Sequence, residues 1–228
     1  MKENLTYLIF VVDRSGSMSS ICKDMIGGFN SFIKAQRDAK IGDAKVFFYQ
    51  FDTEYETVHE GISLEDVPDL TDKTYVPRGS TALYGSLGKT ITDMGIRLEN
   101  MPENERPEKV FVITITDGED NAYLTNESNI NEPSQYRVYT SEKVKEMIKH
   151  QTEVYKWDFA YIGANQDAWS VGSGMGHGAG TTMGYVASAA GTAYMFNKLS
   201  DDTSNYRSAK GAKFAFSPDP NPSTPKTP

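Results

Sequence analysis

Cys22 is the only cysteine in this chain, so no disulfide can form within it, and its core does not depend on an oxidising compartment. A buried, small apolar role is expected for that thiol. Histidine is almost as scarce: His59, His150 and His177 fall on separate predicted elements without ligand spacing and read as incidental. No segment reaches the ~18 consecutive apolar residues of a membrane span. The N-terminal Met1-Lys2-Glu3-Asn4 leads directly into a predicted strand, without the apolar stretch and cleavage site of a secretory signal. A cytoplasmic location and no membrane insertion are therefore expected. Positive charge is in deficit, with 23 Lys and Arg against 31 Asp and Glu. The resulting net charge of −8 argues against a nucleic-acid partner and suits a divalent cation. There is no internal repeat. Gly88-Lys89-Thr90 matches the end of a nucleotide P-loop, but Leu83 stands where its first glycine belongs and the segment lies inside a predicted helix.

What is present suffices for one core. With 228 residues, 38% of them hydrophobic, the chain can bury a full interior and has too little left for a second domain of similar size. Leu5 to Val12 is a nearly continuous apolar run, the pattern of a strand buried on both faces. From Met18 to about Lys40, Ile21, Met25, Phe29, Phe32 and Ile33 recur at helical spacing. Lys45 to Phe51 and Thr57 to Ile62 read as strands joined through Asp52-Thr53-Glu54, a hairpin that makes the second of them an antiparallel edge. A helix is expected to open at Thr81, with Leu83, Leu87, Ile91, Met94 and Leu98 as its stripe. Val110 to Thr116 is a further central strand, followed by a polar insertion from Ala122 to Tyr139 and a helix from about Ser141 to Tyr155. Then come a strand (Trp157 to Ile162), a short helix around Asp167 to Val171, an edge strand (Thr182 to Val186) and a last helix (Ala187 to Leu199). This alternation predicts a three-layer, doubly wound α/β fold, Rossmann-like, with a mostly parallel sheet and one antiparallel edge strand. The expected domain covers residues 1–202. Residues 203–228, ending in the Pro-rich run from Ser217, are expected to form a flexible tail, extended or disordered.

Five oxygen-bearing side chains fall on loops at the carboxyl ends of predicted strands, where such sheets bind their ligands. Asp13, Ser15 and Ser17 follow the first strand, Thr81 opens a helix, and Asp117 ends the strand Val110 to Thr116. Hydroxyls beside carboxylates, with no His or Cys, are hard-oxygen chemistry suited to Mg2+ or Mn2+, with Ca2+ a further candidate. Structural readings compete at each position: Asp13, Ser17 and Thr81 as helix caps, Asp117-Gly118 as a turn. Arg14 is a poor ligand and is expected to point to solvent or to a partner. Glu119 and Asp120 are expected to be solvated loop carboxylates.

Asp-x-Ser-x-Ser after a buried strand, Thr81 after Gly79-Ser80, and Thr116-Asp117-Gly118 after another strand resemble the von Willebrand factor type A domain over roughly residues 5 to 200. In that family these elements form the metal-ion-dependent adhesion site. The resemblance implies that Ser15 and Ser17 coordinate the metal directly, that Thr81 joins them directly or through water, and that Asp13 and Asp117 hold metal-bound waters and orient the serines. It further implies a binding module, not an enzyme, whose ion accepts an Asp or Glu carboxylate from a partner protein. It points to stand-alone bacterial or phage members of the family. Two alternatives stand beside this reading. One is a secreted or virion-surface adhesin using the same site. The other is a metal-dependent phosphatase of haloacid-dehalogenase type, which would need a general acid where this chain has Ser15.

Overall fold

The computed structural model describes residues 1–124, 139–164 and 168–218. The expected insertion therefore lies mostly outside the described residues, as do Asp167 and the Pro-rich stretch 219–228. Strands β1 (Lys2–Asp13), β2 (Asp43–Phe51), β3 (Tyr55–Ser63), β4 (Pro107–Thr116), β5 (Asp158–Ala164) and β6 (Thr182–Tyr185) form one six-stranded sheet in the order β3-β2-β1-β4-β5-β6. Every pairing is parallel except that of β2 with β3, the antiparallel edge. Helices α1 (Cys22–Asp38) and α5 (Ala189–Ser208) cover one face; α2 (Leu83–Glu99), α3 (Ser141–Val154) and α4 (Ala168–Gly174) cover the other. This is the expected three-layer α/β architecture.

The run that begins at Leu5 is continuous because β1 sits at the centre, with its alternate side chains serving two cores. Leu8, Phe10 and Val12 face Met25, Phe29 and Phe32 of α1 and Phe196 and Leu199 of α5. Tyr7, Ile9 and Val11 face Leu83, Leu87 and Ile91 of α2 and Val144 and Ile148 of α3. Phe10 meets Phe29 and Phe32 edge-on, with ring centroids 5.2 and 5.3 Å apart.

Three expectations need correction. The first helix is preceded by a 3-10 turn, Gly16–Ile21, and becomes α-helical only at Cys22. Cys22 itself is half-buried at that helix start, with Sγ 3.7 Å from the Tyr75 carbonyl. The largest change is at the far end. The boundary expected at 202/203 falls inside α5, and the chain beyond it returns to the core, where Phe214 lies 4.2 Å from the Phe111 ring. The apolar pattern fades there because α5 buries Ser200, Asp202, Thr203 and Arg207 alongside Tyr206. Gln36 of α1 satisfies this polar stripe: its Nε2 donates to Ser200 Oγ and Ser204 Oγ, and its Oε1 accepts from Arg207 Nη1 at 3.0 Å.

His177 is buried between Phe159 and Tyr161, and among the described residues neither ring nitrogen has a partner. Burial lowers its pKa from 6.5 to about 4. Between those values the unfolded chain binds the proton and the folded chain does not, so His177 costs stability as pH falls through that window. Measured against wild type, His177→Leu is expected to gain about 3 kcal/mol of relative stability between pH 7 and pH 4. Urea unfolding at the two pH values checks this; a constant difference contradicts it.

Candidate metal centre

Strands β1 and β4 are sheet neighbours, with Val12 opposite Ile115, so the loops that follow them emerge side by side. After β1 the chain turns toward β2, and after β4 it turns the other way toward β5. This reversal of winding opens a crevice at the carboxyl ends of the strands, and the five expected residues line it.

Asp13 ends β1 fully buried. Its Oδ1 accepts from the Ser15 amide at 2.6 Å and its Oδ2 from Thr116 Oγ1 at 2.6 Å. Its carbonyl accepts from the Tyr75 hydroxyl at 2.5 Å. Ser15 Oγ lies 3.0 Å from Ser17 Oγ, and Ser17 Oγ donates to Asp117 Oδ1 at 2.6 Å. Ser15 is buried while Ser17 reaches the surface. Residues a hundred positions apart thus form one continuous chain of oxygen atoms.

Thr81 reaches the same crevice through backbone contacts. Gly16 N donates to the Gly79 carbonyl at 3.1 Å, and Thr81 exchanges bonds with Asn121: Thr81 N to Oδ1 at 2.8 Å, Asn121 N to the Thr81 carbonyl at 2.9 Å. A Cβ on Gly118 would sit 3.2 Å from Thr81 Oγ1, so that glycine lets the two loops close on each other. The capping readings fail: the cap positions at the helix starts are Ser15, Ile21 and Ala82, not Asp13, Ser17 or Thr81, and none of the three makes a side-chain cap bond. Asp120 supplies the missing acceptor for α2 instead, taking the Tyr84 amide at 2.9 Å. It is a half-buried capping group, not the solvated carboxylate expected, while Glu119 is exposed as expected. Reading from sequence missed Thr116, Asp120 and Asn121 as supports of the site; the signal was an alanine where a capping side chain belongs.

Arg14 also departs from expectation. It is buried, with Nε 3.0 Å from Asp52 Oδ2 and Nη1 2.5 Å from Glu56 Oε2. Side chains alternate along an extended backbone, so with Asp13 and Ser15 turned to the crevice, Arg14 faces away from it.

Burial pushes the Asp13 carboxyl up to about 6, against the hydrogen bonds from Thr116 and Ser15 and with help from the nearby Asp117 charge. Burial also raises Asp117, partly offset by its bond from Ser17. Two carboxyls held away from solvent beside three hydroxyls favour a small hard cation that would stabilise their charged forms. Among the described residues no group of three His, Cys, Asp or Glu side chains is placed to hold a metal ion, and the donor set at this crevice is one of hydroxyls and carboxylates. This set fits the group that the resemblance implies.

No protein-family model and no curated protein matches the chain. Solved structures do. The pilus adhesin SpaC from Lactobacillus rhamnosus GG, in its open conformation, superposes over 90% of this chain and 30% of its own, at TM-score 0.59 and 15% identity. Proximal thread matrix protein 1 from the mussel byssus, with a zinc-occupied MIDAS motif, covers 87% of this chain and 46% of its own, at TM-score 0.55 and 15% identity. The ArnB paralog VWA2 from Sulfolobus acidocaldarius covers 89% and 45%, at TM-score 0.51 and 15% identity. This chain spans less than half the length of each. Taken with the sheet order, these likenesses show a von Willebrand factor type A fold.

Proposed function

We propose that the protein is a divalent-metal-dependent protein-binding module and not an enzyme. The observation that carries this reading is the run of hydrogen-bonded oxygens from Ser15 through Ser17 to Asp117, with Asp13 holding the Ser15 amide and Thr81 close against Gly118 beside it. The Ser15, Ser17 and Thr81 hydroxyls would hold Mg2+ or Mn2+, with Ca2+ a third candidate. Asp13 and Asp117 fix the serine side chains and supply negative charge without filling every position. When bound, the ion supplies an electrophilic position for an Asp or Glu carboxylate of a partner protein. Ser17 keeps the site open to that partner because it alone of the two serines is exposed. The zinc-occupied motif of the mussel protein supports the reading.

Asp13 is unsuited to the phosphatase alternative: it is fully buried, and Ser15 stands where that chemistry needs a general acid. The net charge of −8 supports a protein over a nucleic-acid partner. No helix among the described residues is long and apolar enough to cross a membrane. We also propose a cytoplasmic place of action, supported by the single free cysteine. Detection of the native protein on cell surfaces or virions would replace it with the adhesin reading.

Thermal unfolding tests the metal. At an Mg2+ or Mn2+ concentration ~100 times Kd the folded state gains ~2.7 kcal/mol, a rise of about 5 to 10 °C for a chain of this size. Ser15→Ala with Ser17→Ala is expected to erase that rise and leave the far-UV circular dichroism unchanged. A persisting response in the double variant places the ion elsewhere.

A further inference from the structure

Asp52, the first residue after β2, is almost wholly buried and holds three segments at once. Its Oδ2 accepts from Arg14 Nε at 3.0 Å and from Arg78 Nε at 2.8 Å. Its Oδ1 accepts from the Glu54 amide at 2.6 Å, and its carbonyl accepts from the Ala82 amide at 3.0 Å. Arg14 lies between Asp13 and Ser15; Arg78 and Ala82 flank the Gly79–Thr81 segment. One carboxylate therefore bridges both loops that carry the metal-site hydroxyls. Backbone bonds run the same way, Arg78 N to the Arg14 carbonyl at 2.7 Å and Gly16 N to the Gly79 carbonyl at 3.1 Å. The approach is close enough that Gly79, at φ +67°, would place a Cβ 3.3 Å from the Asp52 Cβ.

We propose that Asp52, acting through Arg14 and Arg78, is a positioning residue for the metal centre. The inference rests on the metal-binding reading above. Two effects run through this group. The first is geometric: Asp52 holds the Ser15–Ser17 loop and the Thr81 segment in one register before the ion arrives, so less ordering is left for binding to impose. The second is electrostatic. Arg14 and Arg78 carry positive charge on the two loops that bear the site hydroxyls, and Asp52, Glu54 and Glu56 neutralise it. Without Asp52 those charges oppose a divalent ion. A salt bridge serving only the β2–β3 hairpin would need neither Arg14 nor Arg78, because both come from outside it.

The test uses the full chain and titration with Mn2+, read by the electron paramagnetic resonance of the free ion. Asp52→Asn leaves the buried Arg14 under-neutralised and risks the fold, so Arg78→Gln carries the decision; its side chain is half-exposed. Loss of an outer-shell partner weakens metal affinity about 10- to 100-fold, and Arg78→Gln is expected at the lower end of that range, because removing its positive charge offsets part of the geometric loss. Its melting temperature in chelator stays at the wild-type value. In chelator the amides of Gly16 and Ala82 exchange faster in the variant, while those of Ile9 and Val112 in the central strands do not. Arg78→Lys recovers affinity only in part, because an ammonium lacks the guanidinium's rigid fork for Asp52 and Glu54. Wild-type affinity in Arg78→Gln overturns the proposal. Weakened binding matched by a proportionate fall in melting temperature assigns the cluster to general stability and also overturns it. A wild-type protein that binds no Mn2+ sinks the metal reading itself.

Discussion

A chain ended at Asp202 is expected not to fold, whereas one ended at Pro218 keeps a cooperative thermal transition. The first truncation removes Tyr206 and Phe214, which pack against Phe111 with tilted rings, their centroids 5.3 and 4.2 Å from its own. It also strips partners from two buried charges. Lys109 Nζ donates to the carbonyls of Tyr206 and Ala209 at 2.5 and 2.7 Å. Asp158 accepts from the Tyr206 hydroxyl at 2.9 Å and the Phe214 amide at 3.1 Å. Each lost aromatic costs about 1.5–3 kcal/mol, and each uncompensated buried charge about 3–5 kcal/mol. The sum is on the order of 10 kcal/mol, comparable to the whole stability of a domain. Circular dichroism melts of the two truncated chains check this. A folded chain ending at Asp202 would restore the boundary read from sequence.

Asp13→Asn is expected to separate stability from metal binding. In the metal-free protein the Asp13 carboxyl titrates at about 6 against an ordinary 3.8. The folded state therefore binds the proton more tightly than the unfolded chain, and stability falls as pH rises from about 4 to about 6. Above that window the buried charge costs about 3 kcal/mol, which a neutral amide of the same shape removes. At pH 7.5 in chelator the variant is expected to melt at or above the wild-type temperature. Its affinity for Mg2+ or Mn2+ is expected to drop about 10- to 100-fold, because the charge that orients the serines and favours the cation is gone. His177 contributes with the opposite sign over nearly the same pH range, so the comparison is variant against wild type at one pH. A variant less stable in chelator, or one still stabilised by the ion to the full wild-type extent, contradicts the role given to Asp13.

The sheet was legible because its signals are local. The run beginning at Leu5 could only be a strand covered on both sides. The stripe from Met25 to Ile33 could only be a helix lying on one core. The polar Asp52-Thr53-Glu54 marked the hairpin and hence the antiparallel edge. The residues of the candidate site were legible for a related reason: hard-cation chemistry needs hydroxyls and carboxylates, and strand ends are where such sheets gather them. Helix α5 resisted because its buried stripe is half polar; Ser200 and Arg207 are inside only because Gln36, more than 160 positions earlier, meets them.

Residue type and spacing along the chain thus decided the strands, the helices, the antiparallel edge and the oxygen-rich loops, since each depends on neighbours within a few turns. Where the core ends, why Arg14 is buried, and how Asp52, Asp120 and Asn121 hold the loops were decided only by the packed sheet. Sheet order brings together side chains that are 26 to 171 positions apart, such as Asp52 with Arg78 and Gln36 with Arg207. No local pattern carries that information, because a buried charge or amide is tolerated only where a distant partner satisfies it.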